Sequence, residues 1–181
     1  MDKTRVIALA MASGWWSGLL SAAALMLASR LSGDGVPTGL NGPSHWFFGE
    51  RAAHAQRFSI RHTVVGTMTH QASSFFWASI FATLRTRRSA LDHGDARIAA
   101  EAAAVTAVAA AVDLLVAPRR LTPGFERRLT AWPLAGVYVA FAVGLAAAAL
   151  RERRHDLMAR ACSSPHSPHP PASPRCPAPR R

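Results

Sequence analysis

His70 and Asp113 are titratable residues set inside long apolar stretches without a charged partner nearby in sequence, and together they have the side-chain types needed to hold and pass a proton. Arg119, Arg120 and Glu126 stand close by in the run PRRLTPGFERRL, and His45 lies in NGPSHWFFGERAAHAQ. Arginine forks match phosphate and carboxylate oxygens, so one chemistry open to this set uses His70 as proton carrier and the arginines as an anion clamp on a lipid or phosphorylated substrate. The plainer alternative is a polar clamp that fixes helix register, each contact contributing about 1 kcal/mol or less. Glu101 needs no distant partner, because Arg97 lies one helical turn before it. The neighbours of Asp113 at the same spacing are Val116 and Ala117, so its partner must come from another element, with His70, Arg119 and Arg120 the options.

Other chemistries have little sequence support. There is no GxSxG elbow, P-loop or glycine-rich dinucleotide turn. His45, His54, His62 and His70 recur, with Glu50 four residues before His54, yet no HExxH, no paired Glu-x-x-His motifs and no cysteine cluster supply the ligand spacing that zinc or iron needs. No metal or cofactor is expected. Cys162 and Cys176 both fall in a proline-rich tail without a paired framework.

The elements that must position these residues are four apolar stretches, at 6–29, 63–84, 98–117 and 130–150, each closely flanked by arginine. At about 1.5 Å per residue, each is long enough for a hydrocarbon core of roughly 30 Å. The expected fold is therefore all-α: an integral membrane bundle of four transmembrane helices within 1–160, a short interfacial helix in the first loop, and a disordered Pro/Ser/Arg-rich tail over 161–181. A signal peptide is the rival reading of the first stretch, but the apolar run exceeds the usual length of about 7 to 15 residues. Gly14 and Gly18, with Ala10 and Ala22, repeat every four residues and make a ridge for close helix approach, for which ordinary bundle packing is favoured over a dedicated dimer interface. The second stretch is the most polar, and it and the third are expected to insert as a hairpin shielded by the other two. The connections after the first and third stretches face the same side, which puts His70 about 10 Å and Asp113 about 6 Å below one surface.

The charge follows the same plan. The chain has 181 residues and a formal net charge of +11, but its arginines gather at the ends of apolar stretches, where they attract anionic lipid heads and set topology. No nucleic-acid partner is expected. Thirteen of the 21 Lys and Arg fall on the side of the two termini and eight on the other, which favours both ends in the cytoplasm.

The segments GPSHWFFGERAA, RHTVVGTMTHQASSFFWA and DLLVAPRRLTPGFERRL resemble a family of small bacterial inner-membrane proteins, over roughly Val6 to Leu150. Some members carry a glycerol-phosphate transporter label, although four spans are far fewer than such transporters use. The resemblance implies the four-span architecture and brings no catalytic residue with it. The expected role is a structural or interaction component of the bilayer, with a second copy or another membrane protein as partner. A small transporter or channel subunit for an anionic solute, and a membrane-embedded enzyme, are the alternatives.

Overall fold

The computed structural model describes residues 3–87, 94–118 and 120–163, and within these all regular structure is helical. Arg119 and residues 164–181, assigned above to the candidate site and the tail, lie outside the described residues. Helix α1 spans Lys3–Leu31. Three single-turn helices follow, α2 Thr38–Asn41, α3 His45–Phe48 and α4 Glu50–Ala53, with a 3-10 turn Gly42–Ser44 between the first two. A π turn, Ile60–Val64, leads into α5 Val65–Arg87. Helix α6 Asp95–Ala111 widens into a second π turn, Val112–Val116, and a 3-10 turn Phe125–Arg127 precedes α7 Ala131–Ser163.

Three helical segments are long and apolar enough to cross a membrane: Lys3–Leu31, Asp95–Val116 and Ala131–Ala161. Helix α5 is equally elongated, but its histidine, glutamine and hydroxyl residues lower its apolarity. Helix α7 runs past the apolar stretch that ends at Leu150, because Arg151, Glu152, Arg153 and Arg154 are all good helix formers. Its extension is tied back to the start of the chain by Arg5, which bonds Glu152 at 2.9 Å and Asp156 at 2.7 Å.

Helix α1 is the centre of the bundle, with α5 along one flank, α7 along another, and α6 packed on α7. Small residues allow this. A Cβ on Gly14 would meet the backbone of Phe75 at 3.0 Å, one on Gly18 would overlap the Gln71 side chain, and one on Gly144 would overlap the Ser17 backbone. The glycine ridge of α1 is thus occupied by α5 within the same chain, as ordinary bundle packing requires. Ser13, Ser17, Ser21 and Ser29 are buried on α1, while Ile7, Met11, Trp15 and Leu19 are exposed on its outer face.

Two apolar clusters hold the ends. Leu9, Phe81, Ile98, Val105, Phe141 and Leu145 join all four long helices near the termini, where Arg85 also bonds Glu101 at 2.9 Å and Arg97 reaches the same carboxylate at 3.4 Å. Leu25, Ala28, Leu40, Phe125, Leu129 and Val137 close the opposite end. The first loop, where a short interfacial helix is expected, holds three single-turn helices and a 3-10 turn. Residues Thr38 to His45 are buried as a plug, because Asn41, with no exposed surface, donates to the carbonyls of Ala55 and Arg57 and accepts from Thr63 Oγ1 at 2.7 Å. At Asn41-Gly42-Pro43 the chain passes from α-helical to 3-10 pitch without a break. Pro43 sits in the first turn of the 3-10 segment, where its fixed φ suits the helical backbone.

Gly144→Ala should destabilise the detergent-solubilised protein by about 1–3 kcal/mol, since the new methyl meets backbone that has no rotamer to change. Gly136→Ala, with open space around the same atom, should stay within about 0.5 kcal/mol of the parent in the same thermal-unfolding measurement.

Candidate functional site

Helices α5 and α6 touch near their connection and part towards the opposite end, because the aliphatic contacts of Ala78, Phe81 and Ala82 with Ile98, Ala102 and Val105 stop one helical half short of the plug. A cavity of about 980 Å³ fills the resulting gap. Its walls are apolar, from Val65, Phe76 and Trp77 on α5 to Ala109, Val112 and Val116 on the α6 side. Phe141 of α7 lines it as well, and Pro43, Trp46, Leu121 and Pro123 line it from the two loops. Met68, Phe76 and Val116 are more than half exposed and form its rim, so the cavity opens sideways between α5 and α6.

Two polar pairs reach this cavity from opposite walls. On the α1 and α5 side, Ser21 Oγ lies 2.9 Å from His70 Nε2. The serine has one proton, and its 2.7 Å contact with the Ser17 carbonyl takes it, so His70 Nε2 is the donor in the pair and Nδ1 of the neutral ring is left as an acceptor. On the α6 and α7 side, Tyr138 donates to Asp113 Oδ2 at 3.1 Å. The π turn at Val112–Val116 sets Asp113 at the cavity wall, as single-turn widenings often do at functional positions.

The sequence-derived residues are brought only partly together. His70 and Asp113 line the same cavity but bond different partners. Glu126 lies in the loop behind Phe125, ion-paired with Arg127 at 3.6 Å, and its Oε2 is buried without a hydrogen bond. His45 is buried in the plug, its Nδ1 2.8 Å from the Gly42 carbonyl and its Nε2 without a partner. Arg120 is exposed and joins no ion pair among the described residues. Arg127 pairs with Glu50, while Arg128 reaches Asp34 at 3.5 Å and the His54 carbonyl at 3.2 Å. Trp46 Nε1 donates to the Thr122 carbonyl at 2.8 Å, and Gly124, with φ 87°, packs where a Cβ would strike the His45 ring and the Gly42 carbonyl. These contacts weld the two loops into one cap over the cavity.

Among the described residues, no three His, Cys, Asp or Glu come together as a metal ion would need. Tyr138 and Ser21 are the site residues that sequence reasoning passed over. A signal was there for the tyrosine: it is the single Tyr of the chain, eight residues into an uncharged stretch from the same end as Asp113, hence about 12 Å deep. Comparison with family models, with curated proteins and with solved structures returns no match.

Double-mutant cycles read by unfolding in mixed micelles separate the pairings. Asp113→Ala with Tyr138→Phe should show a coupling of about 0.6–1.7 kcal/mol, and Asp113→Ala with His70→Ala should be additive to within about 0.5 kcal/mol. Coupling in the second cycle that equals the first would place His70 and Asp113 in direct contact.

Proposed function

We propose that this chain is a bacterial inner-membrane protein that crosses the bilayer four times, with both termini in the cytoplasm, and that it holds an amphiphilic molecule of the bilayer in the cavity between α5 and α6. Membrane insertion is supported by the inverted polarity of the bundle. Serines, Thr69 and Thr106 are inside, whereas Met11, Trp15, Leu19, Met68, Phe76, Leu115 and Val143 are outside, an arrangement unfavourable in water and suited to lipid.

Helix α5 fits as the fourth span because its polar groups are hidden. Thr67, Thr69, Ser74, Ser79, Thr83 and Thr86 each donate to the carbonyl four residues earlier, and Gln71 Nε2 donates to the Gly14 carbonyl at 2.8 Å. A hydroxyl bonded in this way presents mainly its carbon to the outside. Twenty-three residues at about 1.5 Å each exceed a 30 Å core, and Phe47, Phe58, Ile60 and Trp132, exposed at the capped end, suit the interface.

The observation behind the binding role is the cavity itself. Its size falls in the range of ligand sites, about 300–1,000 Å³, and its sideways mouth would face acyl chains, so a guest could enter from lipid without passing through water. A pathway for an anionic solute has less support. Among the described residues α5 and α7 pack closely along α1, and the arginines of the second capping loop that have described partners bind carboxylates of the first. A purely structural role, with a second copy or another membrane protein as partner, would use the exposed Ile7, Met11, Trp15 and Leu19 face, since the glycine ridge is already covered.

Topology is tested by single cysteines placed in a chain with Cys162 and Cys176 replaced by serine. Gly33→Cys and Thr122→Cys should react with an impermeant maleimide in intact spheroplasts, and Gly94→Cys only after permeabilisation; labelling of Gly94→Cys alongside Gly33→Cys would remove α5 from the spans. For the cavity, native mass spectrometry of the purified protein should find a retained amphiphile, and Ala72→Trp, at an exposed position on its wall, should cut occupancy about tenfold. Unchanged occupancy in that variant would move the guest elsewhere.

A further inference from the structure

From the polar groups that meet in this cavity we infer that its guest carries a head group that donates hydrogen bonds and is not anionic, a long-chain alcohol or amine rather than a phospholipid phosphate or a fatty carboxylate. The inference rests on the reading of the cavity as an amphiphile site and adds the chemistry of the head.

The lining carries one carboxylate, Asp113, and its donors without a partner among the described residues are the neutral Ser73 hydroxyl and Trp77 indole N–H. Asp113 uses Oδ2 for the Tyr138 hydroxyl, and its Oδ1 has no partner among the described residues. His70 gives its Nε2 proton to Ser21, whose own proton goes to the Ser17 carbonyl, so the free ring atom is the acceptor Nδ1. The Tyr138 donor is already used by Asp113, as Trp46 Nε1 is by the Thr122 carbonyl. No lysine or arginine is among the described residues of the lining. Glu126, on the capping loop that supplies the lining residue Phe125, is ion-paired with Arg127, whose guanidinium Glu50 also binds. An anionic head would meet a carboxylate in a low-dielectric setting with no cation to offset it, whereas an O–H or N–H head would complete Asp113 and His70. A hydrogen bond to a charged acceptor is strong enough to order competing head groups by tenfold or more.

The apolar remainder of the lining fixes the other half of the guest. Val65, Phe76, Val112 and Val116 offer no polar side-chain atom towards the mouth and Trp77 only its indole N–H, so the chain leaves along them into the bilayer while the head stays beside Asp113.

The test uses full-length protein in phosphatidylcholine nanodiscs, photolabelled with a dodecylamine that bears a diazirine at its tail, with labelled peptides read by mass spectrometry. Dodecylamine, dodecanol, dodecanoate and dodecyl phosphate compete. The amine or the alcohol should displace label from the cavity peptides at about one-tenth of the concentration that the two anions require, and whichever is stronger tells a cationic head from a neutral one. Asp113→Asn, which keeps the shape and removes the charge, should narrow that gap to about threefold, while Tyr138→Phe, which keeps the carboxylate, should preserve it. Equal displacement by the anions, or a gap that Asp113→Asn leaves intact, overturns the inference and leaves the cavity reading standing. Labelling that avoids the cavity peptides, or that Ala72→Trp leaves unchanged, overturns the cavity reading itself.

Discussion

The close approach of α1 to its neighbours is the constraint on which the rest of the structure depends. With glycine at 14, 18 and 144, backbones come near enough for Gln71 to reach the Gly14 carbonyl and for His70 to reach Ser21. Those contacts give the polar residues of α5 partners inside the bundle. Without them the same residues would stand unpaired in an apolar setting, where each unsatisfied group costs about 1–3 kcal/mol. The inverted polarity of the molecule is therefore a consequence of small residues on one helix, since only a bundle this tight can keep its hydroxyls and amides inside.

The ends of the bundle follow a different logic. Near the termini, bulky aliphatic residues and the Arg85, Arg97 and Glu101 cluster fill the space between α5 and α6. At the other end the helices separate, and the space between them is capped instead of filled. Two π turns flank the opening, one leading into α5 and one ending the α6 segment, and each shifts the register of its helix by one residue. The cap is assembled from both loops by Gly42 against Gly124, by Trp46 on the Thr122 carbonyl, and by Arg127 and Arg128 on acidic and carbonyl groups of the first loop. An apolar cavity with two polar pairs on its inner walls is what this geometry leaves.

Much of the architecture was legible in the sequence, because uncharged stretches flanked by arginine constrain a chain strongly. The helices at Lys3–Leu31, Asp95–Val116 and Ala131–Ser163 fall where those stretches lie, and Glu101 has the Arg97 partner that spacing suggested. The site was half legible. His70 and Asp113 stand out as polar residues in apolar runs, yet their actual partners, Ser21 and Tyr138, come from helices far away in the chain, and no periodicity reveals which faces of separate helices meet. The buried plug was hidden for a related reason: Thr38 to His45 reads as a polar, turn-rich loop, and only the tertiary hydrogen bonds of Asn41 make its burial affordable. The arginines of the second capping loop suggested an anion clamp by type alone; their acidic partners lie some 75 to 95 positions earlier.

The environment of α5 is the most direct test of this account, because that helix is the least apolar of the four and forms one wall of the cavity. Spin labels placed singly at Met68, Phe76 and Leu84 in nanodiscs report collision with oxygen, which concentrates in lipid, and with a polar nickel chelate, which stays in water. The account predicts oxygen accessibility greatest at Phe76 and low chelate accessibility there relative to a label at Gly33. Chelate accessibility at Phe76 equal to that at Gly33 would put α5 in water and contradict it.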